Sequence, residues 1–263
     1  MLFSMLKEKL EKLAPKNLEF SNETYGLQFG SIMEDQNLHN IAISLECDKE
    51  VIMKARKLKS HIIISHHGLT DQPMTYFNDG IYNEIKLLSL SDIKLFVIHH
   101  PWHNAKGGIS DNLAKQAGLK IEGTFRISKN EGTYSLGRFG FPYQENTSVE
   151  SICTTLKRNL RLSFIQIAGN PKTTVKKVLV KGGTGIESRH FIDIIRAGCN
   201  TIISGEFTYQ EAQIAKKMDL NLIATSHYSS EKHGMENLQK ILSLEFPRDN
   251  FYFIETAEPV LIF

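Results

Sequence analysis

The histidines of this chain are concentrated in three short clusters, and each cluster follows an apolar run typical of a buried strand. Residues 65–68 read Ser-His-His-Gly, residues 99–104 read His-His-Pro-Trp-His-Asn, and residues 225–231 read Thr-Ser-His-Tyr-Ser-Ser-Glu. In open α/β sheets, ligands bind at the carboxyl ends of the strands. The three clusters therefore predict one metal site that is assembled from both halves of the chain.

Imidazole and carboxylate groups are the usual protein ligands of hydrolytic metals. Adjacent residues of an extended strand point to opposite faces, so His66 and His67 suit two ions, one each, better than a single ion. His227 and Glu231 are four residues apart, and they would share one face if the last long helix began at His227. One carboxylate could then bridge both ions, so this spacing predicts a dinuclear centre.

A dinuclear centre predicts hydrolytic chemistry, because two ions about 3.5–4 Å apart activate water for phosphoryl or amide hydrolysis. We recognise no nucleophile-elbow motif around a serine or cysteine in the sequence. Metal-bound water is therefore the expected nucleophile. Isolated histidines, such as His39, His61 and His190, are interpreted instead as surface or core residues.

Other features each allow two interpretations. Residues 181–185, Lys-Gly-Gly-Thr-Gly, could hold a phosphate at a helix N-terminus, but they lack the P-loop pattern, which favours a plain tight turn. Glu206 follows another candidate strand and could line the site or simply begin a helix. Trp102 could stack on a ring-shaped substrate or cover the site.

The composition is that of an ordinary globular protein of 263 residues, 41% hydrophobic and 23% charged. A net charge of +2 predicts neither a nucleic-acid partner nor an anionic membrane surface. No apolar run approaches the ~20 residues of a membrane span, and the charged first residues do not resemble a signal peptide. The three cysteines have no Cys-x-x-Cys spacing. We therefore expect reduced thiols and a cytoplasmic location.

The elements that must position the clusters alternate between strands and helices. In the first half, strands are expected at residues 41–45, 61–64 and 95–98, and helices at residues 2–13, 49–58 and 78–88. This alternation predicts βαβ units and an α/β fold with mixed, largely parallel sheets. After the turn at Gly107 and Gly108, Ser110 or Asp111 is expected to cap a short helix.

The pattern changes near Glu122, where residues 134–141 have the composition of an antiparallel meander. The β–α alternation then resumes, with strands expected at residues 164–167, 178–180, 201–204, 222–224 and 251–254, and helices at residues 188–197, 209–218 and 231–244. We therefore predict an N-terminal lobe, residues 1–126, and a C-terminal lobe, residues 127–263.

Four motifs together carry a family resemblance. They are Tyr-Gly-Leu-Gln at residues 25–28, Ser-His-His-Gly after a strand, His-x-Pro-Trp close to the Gly-Gly-Ile-Ser-Asp-Asn turn, and Ser-His-Tyr-x-x-Glu-x-x-Gly at residues 226–234. This set resembles the Nif-three-like dinuclear metal-centre hexameric proteins, which are often named GTP cyclohydrolase I type 2 homologues. The resemblance implies two α/β lobes with the metals in a cleft between them, and a ring-shaped homohexamer.

The resemblance also implies the metal ligands. In that family, two divalent ions are held by the histidine pair, by an aspartate after the second strand, and by the late histidine and glutamate. Four of these ligands correspond here to His66, His67, His227 and Glu231.

The family's aspartate has no direct counterpart in this chain. Alignment on Pro101 and Trp102 places His103 at that position, whereas a shift by one residue places Asn104 there. His103 is favoured, because imidazole binds metals and an amide does so poorly. Replacing a carboxylate by imidazole favours zinc, iron, cobalt or nickel over magnesium or manganese, and zinc or iron is expected.

Two functions follow from these observations. The first is a metal-dependent hydrolase of a nucleotide or small phosphorylated metabolite, similar to a GTP cyclohydrolase, because two ions with few protein ligands leave positions for water and substrate. The second is a non-catalytic metal carrier, sensor or scaffold in a ring-shaped oligomer, since the aspartate is replaced and no separate general base is evident. A metal-free α/β binding module is a third interpretation.

Overall fold

A computed structural model describes residues 1–18, 25–70, 74–129 and 132–261. The chain divides into two compact units. The first unit consists of residues 1–105 and 235–263, and the second unit consists of residues 106–234. The predicted lobes, in contrast, meet at residue 126.

The strands and helices predicted for the first part of the chain are present, and a strand at Tyr25–Phe29 and a short helix at His99–Asn104 are additional. In order, they are α1 (Phe3–Leu13), β1 (Tyr25–Phe29), β2 (Asn40–Ser44), α2 (Lys49–Lys57), β3 (Ile62–Ser65), α3 (Asp79–Ser91), β4 (Lys94–Ile98) and α4 (His99–Asn104). Asp48 caps α2 by accepting a hydrogen bond from Val51 N at 2.8 Å. The sequence places these elements well, because strand runs and helix caps are local signals.

The remaining elements begin with a short helix and a long hairpin. They are α5 (Ile109–Gln116), β5 (Leu119–Lys129), β6 (Gly132–Pro142), α6 (Val149–Leu160), β7 (Gln166–Ala168), β8 (Val178–Val180), α7 (Phe191–Arg196), β9 (Thr201–Ser204), α8 (Tyr209–Lys217), β10 (Asn221–Ala224), α9 (His227–Glu245) and β11 (Asn250–Ile254). Within the described ranges, no helix combines the length and apolarity that crossing a bilayer requires.

The first unit contains a five-stranded sheet with the order β1-β4-β3-β2-β11. Strands β4, β3, β2 and β11 are parallel, and β1 is antiparallel to β4. Ser44 pairs with Ser65, and Ser65 pairs with Val97, so the carboxyl ends of β2, β3 and β4 lie at the same edge. Because β11 pairs with β2, the C-terminal segment belongs to the first unit.

Strands β3 and β4, in the interior of this sheet, are buried along their whole length. Both β3 and β4 are covered on two faces, which explains why their sequences are continuous apolar runs rather than alternating ones. Val51 and Ile52 of α2 and Leu88 of α3 pack with Ile63 and Leu95 in one hydrophobic cluster. This packing holds the strand ends, and the histidines that follow them, in fixed positions.

The second unit contains a six-stranded sheet with the order β5-β6-β8-β9-β10-β7. Only β8, β9 and β10 are parallel; the β5–β6 hairpin, the pairing of β6 with β8 and that of β7 with β10 are antiparallel. The prediction of an α/β fold with mixed sheets is confirmed. Parallel pairing dominates only in the first sheet, because the hairpin begins where the sequence pattern changes near Glu122.

The core of the second unit forms between α6 and the parallel strands. Val149, Ile152 and Leu156 recur at helical spacing on one face of α6 and are fully or almost fully buried. They pack with Val178 and Ile203 from the sheet. The unit therefore has its own hydrophobic core.

Candidate metal centre

His66 and His67 follow β3 directly, and their backbone continues the pairing of β3 with β2. His66 N donates to Ser44 O at 3.2 Å, and His67 N donates to Leu45 O at 2.9 Å. Ser65 Oγ donates to His67 O at 2.5 Å. The centroids of the two imidazole rings lie 4.7 Å apart. These backbone hydrogen bonds hold both histidines beside the end of β2 at the edge of the sheet.

The second histidine cluster forms a short helix. α4 begins immediately after β4 and places His99 and His103 on one face, because they are four residues apart. Trp102 is fully buried. It therefore anchors α4 in the core, and the alternative in which it stacks on a substrate is not supported.

His66 lies at the centre of a group of imidazoles in the first unit. Its ring centroid is 4.8 Å from that of His99 and 4.7 Å from that of His103. One ring nitrogen from each of His66, His67 and His99 lies within 4.8 Å of the other two. We call His66, His67, His99 and His103 the histidine cluster.

The contact between His66 and His103 fits a shared metal ion. Their Nε2 atoms are 3.0 Å apart, and both side chains are buried. Two nitrogen ligands of one tetrahedral zinc ion are ~3.3 Å apart when each zinc–nitrogen bond is about 2.0–2.1 Å. Asn104 Nδ2 instead donates to His100 O at 3.4 Å within its own helix. His103, rather than Asn104, is thus the residue of α4 that faces His66.

Glu46 is a candidate functional residue that the sequence analysis did not identify. Its Oε1 lies 2.7 Å from Nδ1 of His67. Ser44 Oγ donates to Glu46 O at 2.5 Å. A carboxylate at Nδ1 favours the tautomer with its proton there, so that Nε2 is the ring atom that could act as a metal ligand. The sequence contains a signal for Glu46, because Ser-Leu-Glu at residues 44–46 resembles Ser-Gly-Glu at residues 204–206, which includes the predicted candidate Glu206.

In the second unit, His227 lies between two carboxylates. α9 begins at His227, so that residue and Glu231 are one turn apart, with His227 Nε2 3.2 Å from Glu231 Oε1. Nδ1 of His227 lies 3.0 Å from Glu206 Oε1. The hydrogen bond with the fully buried Glu231 raises the pKa of His227 to about 9, and Glu206 adds to this rise, whereas burial opposes it.

The glycine-rich loop that follows β8 is a tight turn. Lys181 Nζ donates to Thr184 O at 2.7 Å and to Gly185 O at 3.2 Å. Gly183 N donates to Ser230 Oγ at 2.8 Å. Burial lowers the pKa of Lys181. Because the lysine binds the loop's own carbonyl oxygens, the geometry favours the tight-turn interpretation over a phosphate site.

Two glycines allow close packing around the start of α9. A Cβ atom on Gly205 would lie 2.5 Å from Gly183 O and 2.8 Å from His227 Cα. A Cβ atom on Gly234 would lie 2.8 Å from Ile109 Cα. Since these neighbours are backbone atoms, neither position accepts a side chain without a shift of the chain.

The Gly-Gly turn before α5 is held by side chains in an unexpected way. The predicted capping of α5 by Ser110 or Asp111 is wrong, because Gly108 is the N-cap. Asp111 instead accepts a hydrogen bond from Gly107 N at 2.7 Å and pairs with Arg138 Nε at 2.5 Å. Asp111 therefore stabilises the turn.

These donor groups could hold a metal ion. The histidine cluster provides imidazole nitrogens, and His227 with Glu231 provides a nitrogen and a buried carboxylate. Nitrogen-rich donor sets suit zinc, iron, cobalt or nickel, whereas calcium and magnesium prefer oxygen ligands. The chemistry of the residues thus fits a transition metal.

A family model described as Duf34/NIF3 (NGG1p interacting factor 3) matches residues 1–259. The chain belongs to this family. The match spans nearly the whole sequence, and it confirms the family resemblance inferred from the histidine and glycine motifs.

Curated relatives carry a consistent name. A GTP cyclohydrolase 1 type 2 homolog of Clostridium perfringens is 30% identical over 225 residues, which cover 84% of each chain. A protein of the same name from Methanocaldococcus jannaschii is 28% identical over 236 residues, which cover 90% of this chain and 92% of the relative.

Solved structures share the fold. A Bacillus cereus protein related to NIF3 superposes with a TM-score of 0.87 at 18% identity, and the match covers 100% of this chain and 99% of that one. Reduced HcgD from Methanocaldococcus jannaschii superposes with a TM-score of 0.82 at 24% identity, covering 97% of this chain and 98% of that one. At these identities, the likeness shows the fold alone.

Proposed function

We propose that the chain binds two divalent metal ions and acts as a metal-dependent hydrolase of a nucleotide or small phosphorylated metabolite. The proposed ligands are His66, His67, His103, His227 and Glu231. The observation that carries the proposal is the buried approach of the His66 and His103 Nε2 atoms to 3.0 Å. The family's curated members add support, because they are named GTP cyclohydrolase 1 type 2 homologues.

In this proposal, ligands from both units serve the same pair of ions. That part rests on the family resemblance of the motifs, which places ligands near both ends of the chain. Zinc or iron is the proposed metal, because alignment on Pro101 and Trp102 places His103 where the family has an aspartate, and imidazole favours these ions over magnesium.

The residues of the chain have separate tasks in this scheme. The neutral imidazoles of His66 and His103 provide nitrogen ligands without charge, and the carboxylate of Glu231 offsets part of the ions' positive charge. Bound ions would supply a water molecule that is acidic enough to act as a nucleophile near neutral pH.

The test combines metal analysis with turnover. Purified protein is loaded with zinc or iron and incubated with a panel of nucleotides and phosphorylated metabolites. We expect two ions per chain and metal-dependent hydrolysis, both of which are reduced by His66→Ala and by Glu231→Ala. His39→Ala is the matched control, because the His39 side chain is 66% exposed. Circular dichroism of each variant verifies that it is folded.

Full metal occupancy without turnover on any compound would overturn the hydrolase proposal. The non-catalytic carrier, sensor or scaffold would then be the better description. Rapid release of the ions to a chelator would support a carrier, whereas tight retention would support a scaffold. Absence of stoichiometric metal would overturn both the hydrolase and the non-catalytic metal-binding protein, and would leave the metal-free binding module.

We also propose that the chain forms a homohexamer in the cytoplasm. The hexamer rests on the family resemblance, and the location is supported by three buried, free cysteines. Light scattering coupled to size-exclusion chromatography should give six times the chain mass of 29.8 kDa. A monomeric or dimeric mass at micromolar concentration would contradict the hexamer.

A further inference from the structure

Each unit contains a carboxylate–imidazole pair at the carboxyl ends of two adjacent parallel strands. In the first unit, Glu46 follows β2 and lies 2.7 Å from Nδ1 of His67, which follows β3. In the second unit, Glu206 follows β9 and lies 3.0 Å from Nδ1 of His227, which follows β10. In both pairs, the carboxylate contacts the same ring nitrogen.

The two glutamates are held by the same backbone arrangement. The last residue of each strand is a serine whose hydroxyl donates to the carbonyl oxygen of the glutamate: Ser44 to Glu46 at 2.5 Å, and Ser204 to Glu206 at 2.9 Å. The first two residues after the neighbouring strand then donate their backbone N–H groups to two carbonyl oxygens. One belongs to the serine and the other to the residue after it. The donors are His66 and His67 in the first unit, and Thr225 and Ser226 in the second.

The spacing along the chain is also the same. Glutamate and histidine are 21 residues apart in both pairs. The helix between them has 9 residues in both units, and its N-cap lies two residues after the glutamate, at Asp48 for α2 and at Thr208 for α8. The pairs thus belong to two strand–helix–strand segments of matching length.

The choice of ring nitrogen has a chemical consequence. A neutral imidazole carries one proton, and a carboxylate beside Nδ1 holds that proton there. The lone pair is then on Nε2, which is the ring atom that would bind a metal. Such a carboxylate also makes the ring a stronger ligand and fixes its orientation.

We propose that Glu46 and Glu206 are positioning residues that hold His67 and His227 as Nδ1–H tautomers with Nε2 directed to the metal ions. This inference rests on the proposed metal-binding function. It separates the two carboxylates around His227: Glu231, on the Nε2 side, is a ligand, whereas Glu206, on the Nδ1 side, orients the ring.

The proposal is tested on the full-length protein with Glu46→Ala and Glu206→Ala. Zinc affinity is measured by competition with a chelating dye, and we expect each substitution to weaken binding of an ion by roughly 10–100-fold. Glu46→Gln and Glu206→Gln should lose less affinity, because an amide oxygen can still accept the Nδ1 proton. Nitrogen-edited NMR of the zinc-loaded protein should show protonated Nδ1 in His67 and His227 of the wild type.

Glu50→Ala and Glu187→Ala are matched controls, because each removes an exposed carboxylate from the same unit, one that forms an ion pair with Lys54 or with Arg189. These variants should bind zinc with wild-type affinity. Unchanged zinc affinity in Glu46→Ala and Glu206→Ala, while His67→Ala and His227→Ala lose zinc, would overturn the positioning role and leave the metal site intact. Failure of the wild type to bind zinc would instead overturn the proposed function itself.

Discussion

The Nε2 atoms of His66 and His103 lie 3.0 Å apart, although 37 residues separate the two histidines in the sequence. At this distance only one of the two nitrogens can carry a proton, because two N–H groups cannot point at each other. The contact is therefore a single hydrogen bond between the two imidazoles. For a divalent ion to bind both nitrogens, the shared proton would have to move to Nδ1 of its own ring.

The first prediction concerns metal choice. His103→Asp restores the carboxylate that the family resemblance implies, so we expect affinity for manganese to rise relative to zinc, by about tenfold or about 1.4 kcal/mol. The ratio of the two dissociation constants, measured by competition, checks this. His103→Asn is the control, because an amide has neither the charge nor a good nitrogen ligand. An unchanged ratio in His103→Asp would show that residue 103 is not a ligand.

The second prediction concerns metal removal. A metal that binds only the folded chain stabilises it by about 2.7 kcal/mol when its concentration is 100 times the dissociation constant. We therefore expect zinc to raise the midpoint of thermal unfolding and EDTA to reverse the rise. His66→Ala should lose this response and His39→Ala should keep it. An equal response in both variants would place the stabilising ion elsewhere.

The third prediction concerns Gly234. A methyl group there would lie 2.8 Å from Ile109 Cα, so Gly234→Ala should lower the free energy of unfolding by about 1–3 kcal/mol, as overpacking does. Urea denaturation followed by circular dichroism measures the change. Gly123→Ala is the control, since no heavy atom lies within 4 Å of its added Cβ. Equal stability of the two variants would contradict the close approach of α5 and α9.

The fourth prediction concerns the thiols. Burial raises the pKa of Cys153 to about 11 and that of Cys199 to about 12, and it also raises the pKa of Cys47. The folded chain should therefore not react with a thiol-specific dye at pH 8, and all three thiols should react in denaturant. Labelling of the native protein on the same timescale would contradict this burial.

The same shifts predict how stability depends on pH. The folded state favours neutral thiols, so their contribution is complete below the unfolded thiol pKa of about 8.5. It is lost as the pH rises from there toward the folded values of about 11 and 12 for Cys153 and Cys199. Cys153→Ala should show a smaller loss of stability between pH 8 and pH 10 than the wild type in urea denaturation.

Local patterns in the sequence predict most of the elements that carry the candidate site. The apolar run before His66 and the cap at Asp48 depend on neighbouring residues, so they could be read directly. The pairing of Glu46 with His67 could not be predicted in this way, because it depends on the register of β2 against β3. The cap of α5 was also missed, since Asp111 is used to hold the Gly107 amide. Contacts set by tertiary structure require coordinates.

The chain contains a single tryptophan, and it directly precedes His103 in α4. Its complete burial predicts a blue-shifted fluorescence emission. Cobalt, nickel and copper quench indole fluorescence over short distances, so an ion bound at the neighbouring imidazole should dim this emission. The fluorescence of Trp102 can therefore be used to follow the binding of these ions in real time without an added label.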